Sequence, residues 1–127
     1  MKGDKLQRGG QRYSDQYLTI VNVYAPTSKA TRAVKDKFFR DLQCALHHVN
    51  KNDVMVLLGA INARVGSLSL ADPSDERPLW DQVLGQFGLG QCNQAGEDLL
   101  SFCARNSLCV MNTCFRKRPF RRGTWTH

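Results

Sequence analysis

"VLLGAINARVG" (residues 56–66) decides how the chain is read. With the residues just before it, the run "DVMVLLG" (53–59) is almost continuously apolar, then stops at a glycine and gives way to Asn62 and Arg64. A short apolar run with β-branched residues and a glycine stop reads as a strand covered on both faces, the kind found in parallel sheets. Upstream, "YLTIVNVYA" (17–25) is rich in β-branched and aromatic residues and reads as a second strand, ended by Pro26. Between the two, Val34, Phe38, Leu42, Ala45, Leu46 and Val49 recur at helical spacing, while Lys35, Asp36, Arg40 and Asp41 stay polar. That pattern predicts an amphipathic helix over 31–49. Strand, helix, strand is the signature of a right-handed parallel crossover in an α/β sheet. Sites in such sheets collect beyond the strand ends, which points to "VYAP" (23–26) and "LGAIN" (58–62).

Further along, residues 61–94 read as loop, with a short helix around 79–84. "GEDLLSFCARNS" (96–107) has Leu99, Leu100, Phe102 and Cys103 on one side and predicts a second helix. "LCVMNT" (108–113) predicts a third strand. Residues 1–16 read as a basic, weakly ordered lead-in, and residues 17–127 as the domain. No internal repeat or low-complexity segment is present.

The 127 residues are 42% hydrophobic and 23% charged, a globular composition. No apolar run approaches the roughly 20 residues of a membrane span, and the polar start is no signal peptide. An intracellular place, nuclear or cytoplasmic, is the expectation. The five cysteines stand at 44, 92, 103, 109 and 114 with no CxxC pair, which predicts reduced thiols. The net charge of +7 is unevenly spread. Arg116, Lys117, Arg118, Arg121 and Arg122 crowd one stretch, and Lys2, Lys5, Arg8 and Arg12 sit at the front. Such clusters suit a polyanion, although a solvated basic loop needs no ligand.

Single residues say less. "GLGQCNQAG" (88–96) lacks the spacing and the preceding strand of a phosphate loop and reads as a connection. Cys44, His47 and His48 share one helix but have no matching ligands elsewhere, so they read as ordinary helix residues. No Gly-x-Ser-x-Gly elbow and no HExxH occurs, against familiar esterases and zinc proteases. Tyr24 could donate its phenol proton to a phosphate oxygen, and Asn62 could touch a substrate. Taken alone, a tyrosine at a strand end ordinarily packs, and an asparagine after a strand ordinarily turns the chain.

In order, the pieces say more. "VNVYAPT" (21–27), then "VLLGAINARVG", then "GLGQCNQAGEDLLSFCARNSLCVMNTCF" (88–115) and "TWTH" (124–127), together resemble the endonuclease/exonuclease/phosphatase family, of DNase I-like fold. Within it they resemble the endonucleases of LINE-type retrotransposons. The resemblance covers residues 17–127. It implies an α/β fold, part of a two-sheet sandwich flanked by helices and lacking strands at both ends. It also implies phosphodiester hydrolysis, with a divalent ion, usually magnesium, neutralising the phosphate while an activated water attacks.

Mapped by motif, Tyr24 stands for the tyrosine that hydrogen-bonds the phosphate. Asn62 stands for the asparagine of Gly-Asp-x-Asn that holds phosphate and water, with Arg64 beside it. Thr27 lies where some members place a polar group on the phosphate, and Asn112 where many carry an aspartate supporting a catalytic histidine. Ala60 stands in place of the aspartate that orients or deprotonates the water. General-base assistance contributes about 10²–10⁴-fold, so its loss predicts near-silence. The family's metal-binding glutamate and its closing Asp-His pair map outside this sequence, and His127 follows the Thr-Trp element too directly to be that histidine.

The expectation is therefore a fragment of an endonuclease-like domain without competent catalysis. It would bind no metal tightly and keep weak, non-specific affinity for nucleic acid, with no membrane partner. The rivals are an active nuclease in which Asp72, Asp75 or Glu76 replaces the lost carboxylate, a protein-interaction module on the same scaffold, and a truncated product with no molecular role.

Overall fold

The structure, a computed structural model, describes residues 7–8, 16–67 and 80–118, and the chain divides into two compact units, Met1–Asn62 and Ala63–His127. The first unit holds strands β1 (Gln7–Arg8), β2 (Leu18–Tyr24) and β3 (Val54–Ala60) and helix α1 (Arg32–His47). The sheet order is β1-β2-β3, with β1 antiparallel and β3 parallel to β2. The strand, helix, strand reading holds, with the parallel pair it predicts. Within the stretch read as a lead-in, Gln7 pairs with Ile20 and Arg8 with Thr19.

The register of the parallel pair runs from Leu18↔Val54 to Tyr24↔Ala60 and is fixed at both ends. At the start, Thr19 Oγ1 donates to Asp53 Oδ2 at 2.8 Å, the backbone N–H of Tyr17 donates to Asp53 Oδ1, and Val54 N–H donates to the Tyr17 carbonyl. Asp53 thereby satisfies the hydroxyl of a threonine that is only 1% exposed. At the far end, Ala25 N–H donates to the Ala60 carbonyl at 2.8 Å. Gly59 sits at φ +131°, and a Cβ there would collide with the Val23 carbonyl oxygen. Only glycine lets the strands approach this closely.

Paired residues of parallel strands share a face, so Thr19, Val21 and Val23 lie on the same side as Met55 and Leu57. On that side Thr19, Val21 and Val23 are buried and Met55 and Leu57 are half-buried. On the other side Leu18, Tyr24, Val54 and Leu58 are exposed, and Ile20 and Val56 are half-buried. The expectation that β3 is covered on both faces is therefore corrected. An unbroken apolar run gives both faces the same composition, so it cannot tell a one-sided cover from a two-sided one.

Helix α1 is capped by Thr31, whose Oγ1 accepts from the Val34 N–H. Its buried side is Phe38 and Leu42, one turn apart, with Ala45 and Leu46 half-buried. Val34, placed on the apolar face by its spacing, sits in the exposed first turn. The outer side carries the i,i+4 pairs Arg32–Asp36 and Lys37–Asp41, and the Lys37 hydrogen bond lowers the Asp41 carboxyl below its usual range.

In the second unit a 3₁₀ turn (Trp80–Gln82) precedes helix α2 (Gln94–Arg105), close to where the sequence placed both. Asn93 caps α2, its Oδ1 accepting from the Gly96 and Arg64 N–H groups. Leu99, Leu100, Phe102 and Cys103 are buried, and Cys103 is pushed up to about 11 by that burial. The third strand expected over 108–113 does not form. Val110 makes one parallel bridge to Leu84, and Met111–Thr113 then turn as a 3₁₀ helix. The reason is local: Thr113 Oγ1 donates to the Val110 carbonyl at 2.6 Å and accepts from Gly85 N–H, offering the backbone an alternative to a ladder.

The described fold is thus mixed α/β, with one three-stranded sheet and two helices. A second sheet, as a sandwich would need, is not among the described residues. No helix of the described residues is long and apolar enough to cross a membrane.

Candidate functional site

The ends of β2 and β3 bring three of the expected site residues together. Tyr24 closes β2 and is 68% exposed, and its register partner is Ala60, the last residue of β3. Two residues on, Asn62 takes a left-handed φ of 51°, a conformation asparagine tolerates better than most side chains. Its Nδ2 donates to the Ala25 carbonyl at 2.9 Å, tying the loop after β3 to the loop after β2. One amide N–H and the Oδ1 acceptor remain for a ligand. A phosphate oxygen could accept from the first and a water donate to the second. The Tyr24 phenol adds a further donor. Ala60, the register partner of Tyr24, carries only a methyl group, which can neither accept nor release a proton.

Thr27 belongs to the same unit, exposed in the turn after β2, where its carbonyl accepts from Ala30 N–H. Arg64 and Asn112 belong to the second unit. Arg64 is exposed and its backbone is bonded in both directions to Asn93. Asn112 is exposed on the 3₁₀ turn rather than on a strand. Arg116, Lys117 and Arg118 are exposed. Arg121 and Arg122, the rival carboxylates Asp72, Asp75 and Glu76, and "TWTH" lie outside the described residues. Sequence reasoning missed the Ala25 carbonyl as the anchor of Asn62; a backbone acceptor leaves no mark in side-chain pattern.

The described residues at the strand ends offer no donor set that fits the magnesium implied by the resemblance. Magnesium is held through one or two carboxylates with near-octahedral oxygen geometry. Tyr24, Thr27, Ala60 and Asn62 offer a phenol, a hydroxyl, an amide and backbone carbonyls but no carboxylate. Asp53, at the opposite end of β3, is bonded to Thr19 and Tyr17. Among the described residues no group of three or more His, Cys, Asp or Glu side chains could hold a metal ion. His48 Nδ1 lies 2.7 Å from the Cys44 carbonyl, a bond that closes the C-terminal end of α1.

No protein-family model matches the chain, and no solved structure does. Among curated proteins, craniofacial development protein 2 of Bos taurus is 38% identical over 109 residues, which is 86% of this chain and 17% of that protein. The namesake from Tragulus javanicus matches with the same identity and the same coverage. The chain thus spans under a fifth of the relatives it matches, and it is homologous to that part of craniofacial development protein 2.

Proposed function

We propose that this chain is part of a retrotransposon-derived domain of the endonuclease/exonuclease/phosphatase family, LINE branch, that has lost phosphodiester hydrolysis and retains weak affinity for nucleic acid. The observation that carries the reading is the pairing of Tyr24 with Ala60 at the strand ends. By the motif mapping Tyr24 is the phosphate-binding phenol, Asn62 the asparagine beside it, and Ala60 brings a methyl group where the family's water-activating carboxylate would stand. Homology to craniofacial development protein 2 gives the chain a relative and leaves both the descent and the chemistry to experiment. The residues left at the site bind and orient: Tyr24 and the free Asn62 N–H donate, and Asn62 Oδ1 accepts. None of them takes a proton from water. Binding itself rests on charge, since phosphate contacts need cations and reach. Arg116, Lys117, Arg118, Arg121 and Arg122 supply them.

The test has two arms. Supercoiled plasmid carrying abasic sites is incubated with nuclease-free protein and magnesium or manganese. No nicking above the protein-free control is expected, and turnover that disappears in Tyr24→Phe overturns the reading. Fluorescence anisotropy with duplex DNA of several sequences should give weak binding, indifferent to sequence. Changing the five basic residues of 116–122 to serine should flatten the salt slope by about 0.9 for each phosphate the stretch neutralises.

A second reading, a protein-interaction module on the same scaffold, is favoured by the open sheet face with Leu18, Val54 and Leu58 exposed.

A further inference from the structure

Away from the strand ends, the second unit holds two nucleophiles in contact. Cys109 Sγ and Cys114 Sγ lie 3.4 Å apart, Cys109 exposed and Cys114 half-buried. The backbone makes this contact from both sides. After α2 the chain reverses at Ser107, φ 54°, and Leu108 N–H donates to the Cys103 carbonyl. Val110 N–H is then held by the Val83 carbonyl, just past Cys109. Just before Cys114, Thr113 accepts from Gly85 N–H through Oγ1 and from Phe87 N–H through its carbonyl. The 3₁₀ turn between these anchors folds the second sulfur back on the first, and Cys114 N–H closes it on the Met111 carbonyl. A disulfide bond is about 2.05 Å long, so the sulfurs need to close by about 1.4 Å, within reach of side-chain rotation.

Cys109 also lines a cavity of about 180 Å³ with Gln82, Val83, Ala104, Ser107 and Leu108, which leaves room for part of a small molecule beside Sγ. The neighbouring Cys103 is buried with its thiol pushed up to about 11, which keeps it protonated and out of reach.

We propose that Cys109 and Cys114 form a redox-active dithiol that closes to an intramolecular disulfide by exchange with a small disulfide, glutathione disulfide being the probe. In the first step the Cys109 thiolate attacks one sulfur of glutathione disulfide. A protein–glutathione bond forms, and one glutathione leaves as thiolate and takes up the proton that Cys109 lost. In the second step the Cys114 thiolate attacks the Cys109 sulfur and expels the second glutathione, which takes up the Cys114 proton. The protein gives up two protons and two electrons, and glutathione disulfide is reduced to two glutathiones. The product bridges the turn that carries Asn112, so oxidation stiffens an exposed part of the second unit. Burial of its charged form and the hydrogen bond with Cys114 raise the Cys109 thiol above its usual value. Its thiolate fraction, and with it the first step, therefore grows as pH rises toward that raised value.

One tryptic peptide, Asn106–Arg116, contains both cysteines and no other; Cys44 lies on a second peptide, and Cys92 and Cys103 share a third that ends at Arg105. The reduced full chain is equilibrated without oxygen across a series of glutathione to glutathione disulfide ratios, quenched in acid, alkylated and digested. The expected product is this peptide lighter by two hydrogens and unalkylated, while exposed Cys44 gains only glutathione. In Cys114→Ser the expelling thiol is gone, and Cys109 should accumulate as the glutathione adduct. Repeating the titration in urea separates a folded contact from mere nearness in sequence. The native chain should hold the disulfide at reducing power about tenfold or more above that needed in urea. Equal ratios in the two states overturn the proposal, as does a peptide that stays dithiol where Cys44 is already glutathionylated. A disulfide from Cys109 to any cysteine but Cys114 does so as well.

Discussion

The two faces of the sheet are made of similar residues and meet different surroundings. One face presents Thr19, Val21 and Val23, exposed by 1, 6 and 4%, beside the half-buried Met55 and Leu57. The other presents Leu18, Val54 and Leu58, exposed by 39, 57 and 50%, around the half-buried Ile20 and Val56, and it carries Tyr24 and Ala60. Apolar content does not separate them; the buried face even contains a threonine. Cover separates them, and the threonine is tolerated there because Asp53 accepts its proton. The candidate site therefore lies on the face the described residues leave open, where a ligand has access and side chains contribute little to stability.

The largest expected effect is on the covered face. Val23→Asp places a carboxylate in a site that offers it no partner, and should cost about 3–5 kcal/mol or leave the chain unfolded. Urea denaturation followed by circular dichroism reads this out. A loss under about 1 kcal/mol would mean that the face is not a core and that the two faces do not differ.

How far this contrast was legible in the sequence differs between the strands. In "LTIVNVY" the polar Thr19 and Asn22 break the run unevenly, and the alternation emerges only as exposure, with Thr19, Val21 and Val23 in. "VMVLLGA" contains no polar residue, so period and cover cannot be separated by pattern. The parallel crossover was legible because the helix between the strands shows its own 3.6-residue period. The third strand misled because Val110 and Met111 look extended, while Asn112 and Thr113 carry the turn chemistry that prevails. At the site, motif order placed Tyr24, Ala60 and Asn62 at the correct ends. The bond from Asn62 to Ala25 depends on a register that only the folded strands define.

A middle-sized effect is expected where the two strands touch most closely. Gly59→Ala adds a Cβ against the Val23 carbonyl at a backbone angle that alanine rarely adopts, and should cost about 1–3 kcal/mol. The Tyr24–Ala60 pairing lies one residue further on, so amide exchange of Ala25, whose N–H is held by the Ala60 carbonyl, should accelerate with it. Unchanged stability together with unchanged exchange would place the strand ends further apart than described and dissolve the candidate site.

The smallest effect is expected on the open face, from Leu58→Thr. Threonine has the β-branched shape that strands accept, so the change removes apolar area and little else. Full burial of a leucine is worth about 1.5–3 kcal/mol, and Leu58 is half exposed, so the loss should stay near or below about 1 kcal/mol. A loss of about 3 kcal/mol or more, the worth of a fully buried leucine, would show that the face is covered in solution. Dilution then identifies the cover. If the excess loss fades as the wild-type chain is diluted, a second copy covers the face, because only association makes stability depend on protein concentration. If it persists at every dilution, the cover comes from the chain itself, and Tyr24 and Ala60 would be shielded with it. The anisotropy measurement would then register no contribution from Tyr24, and affinity for nucleic acid would rest on the basic stretch alone.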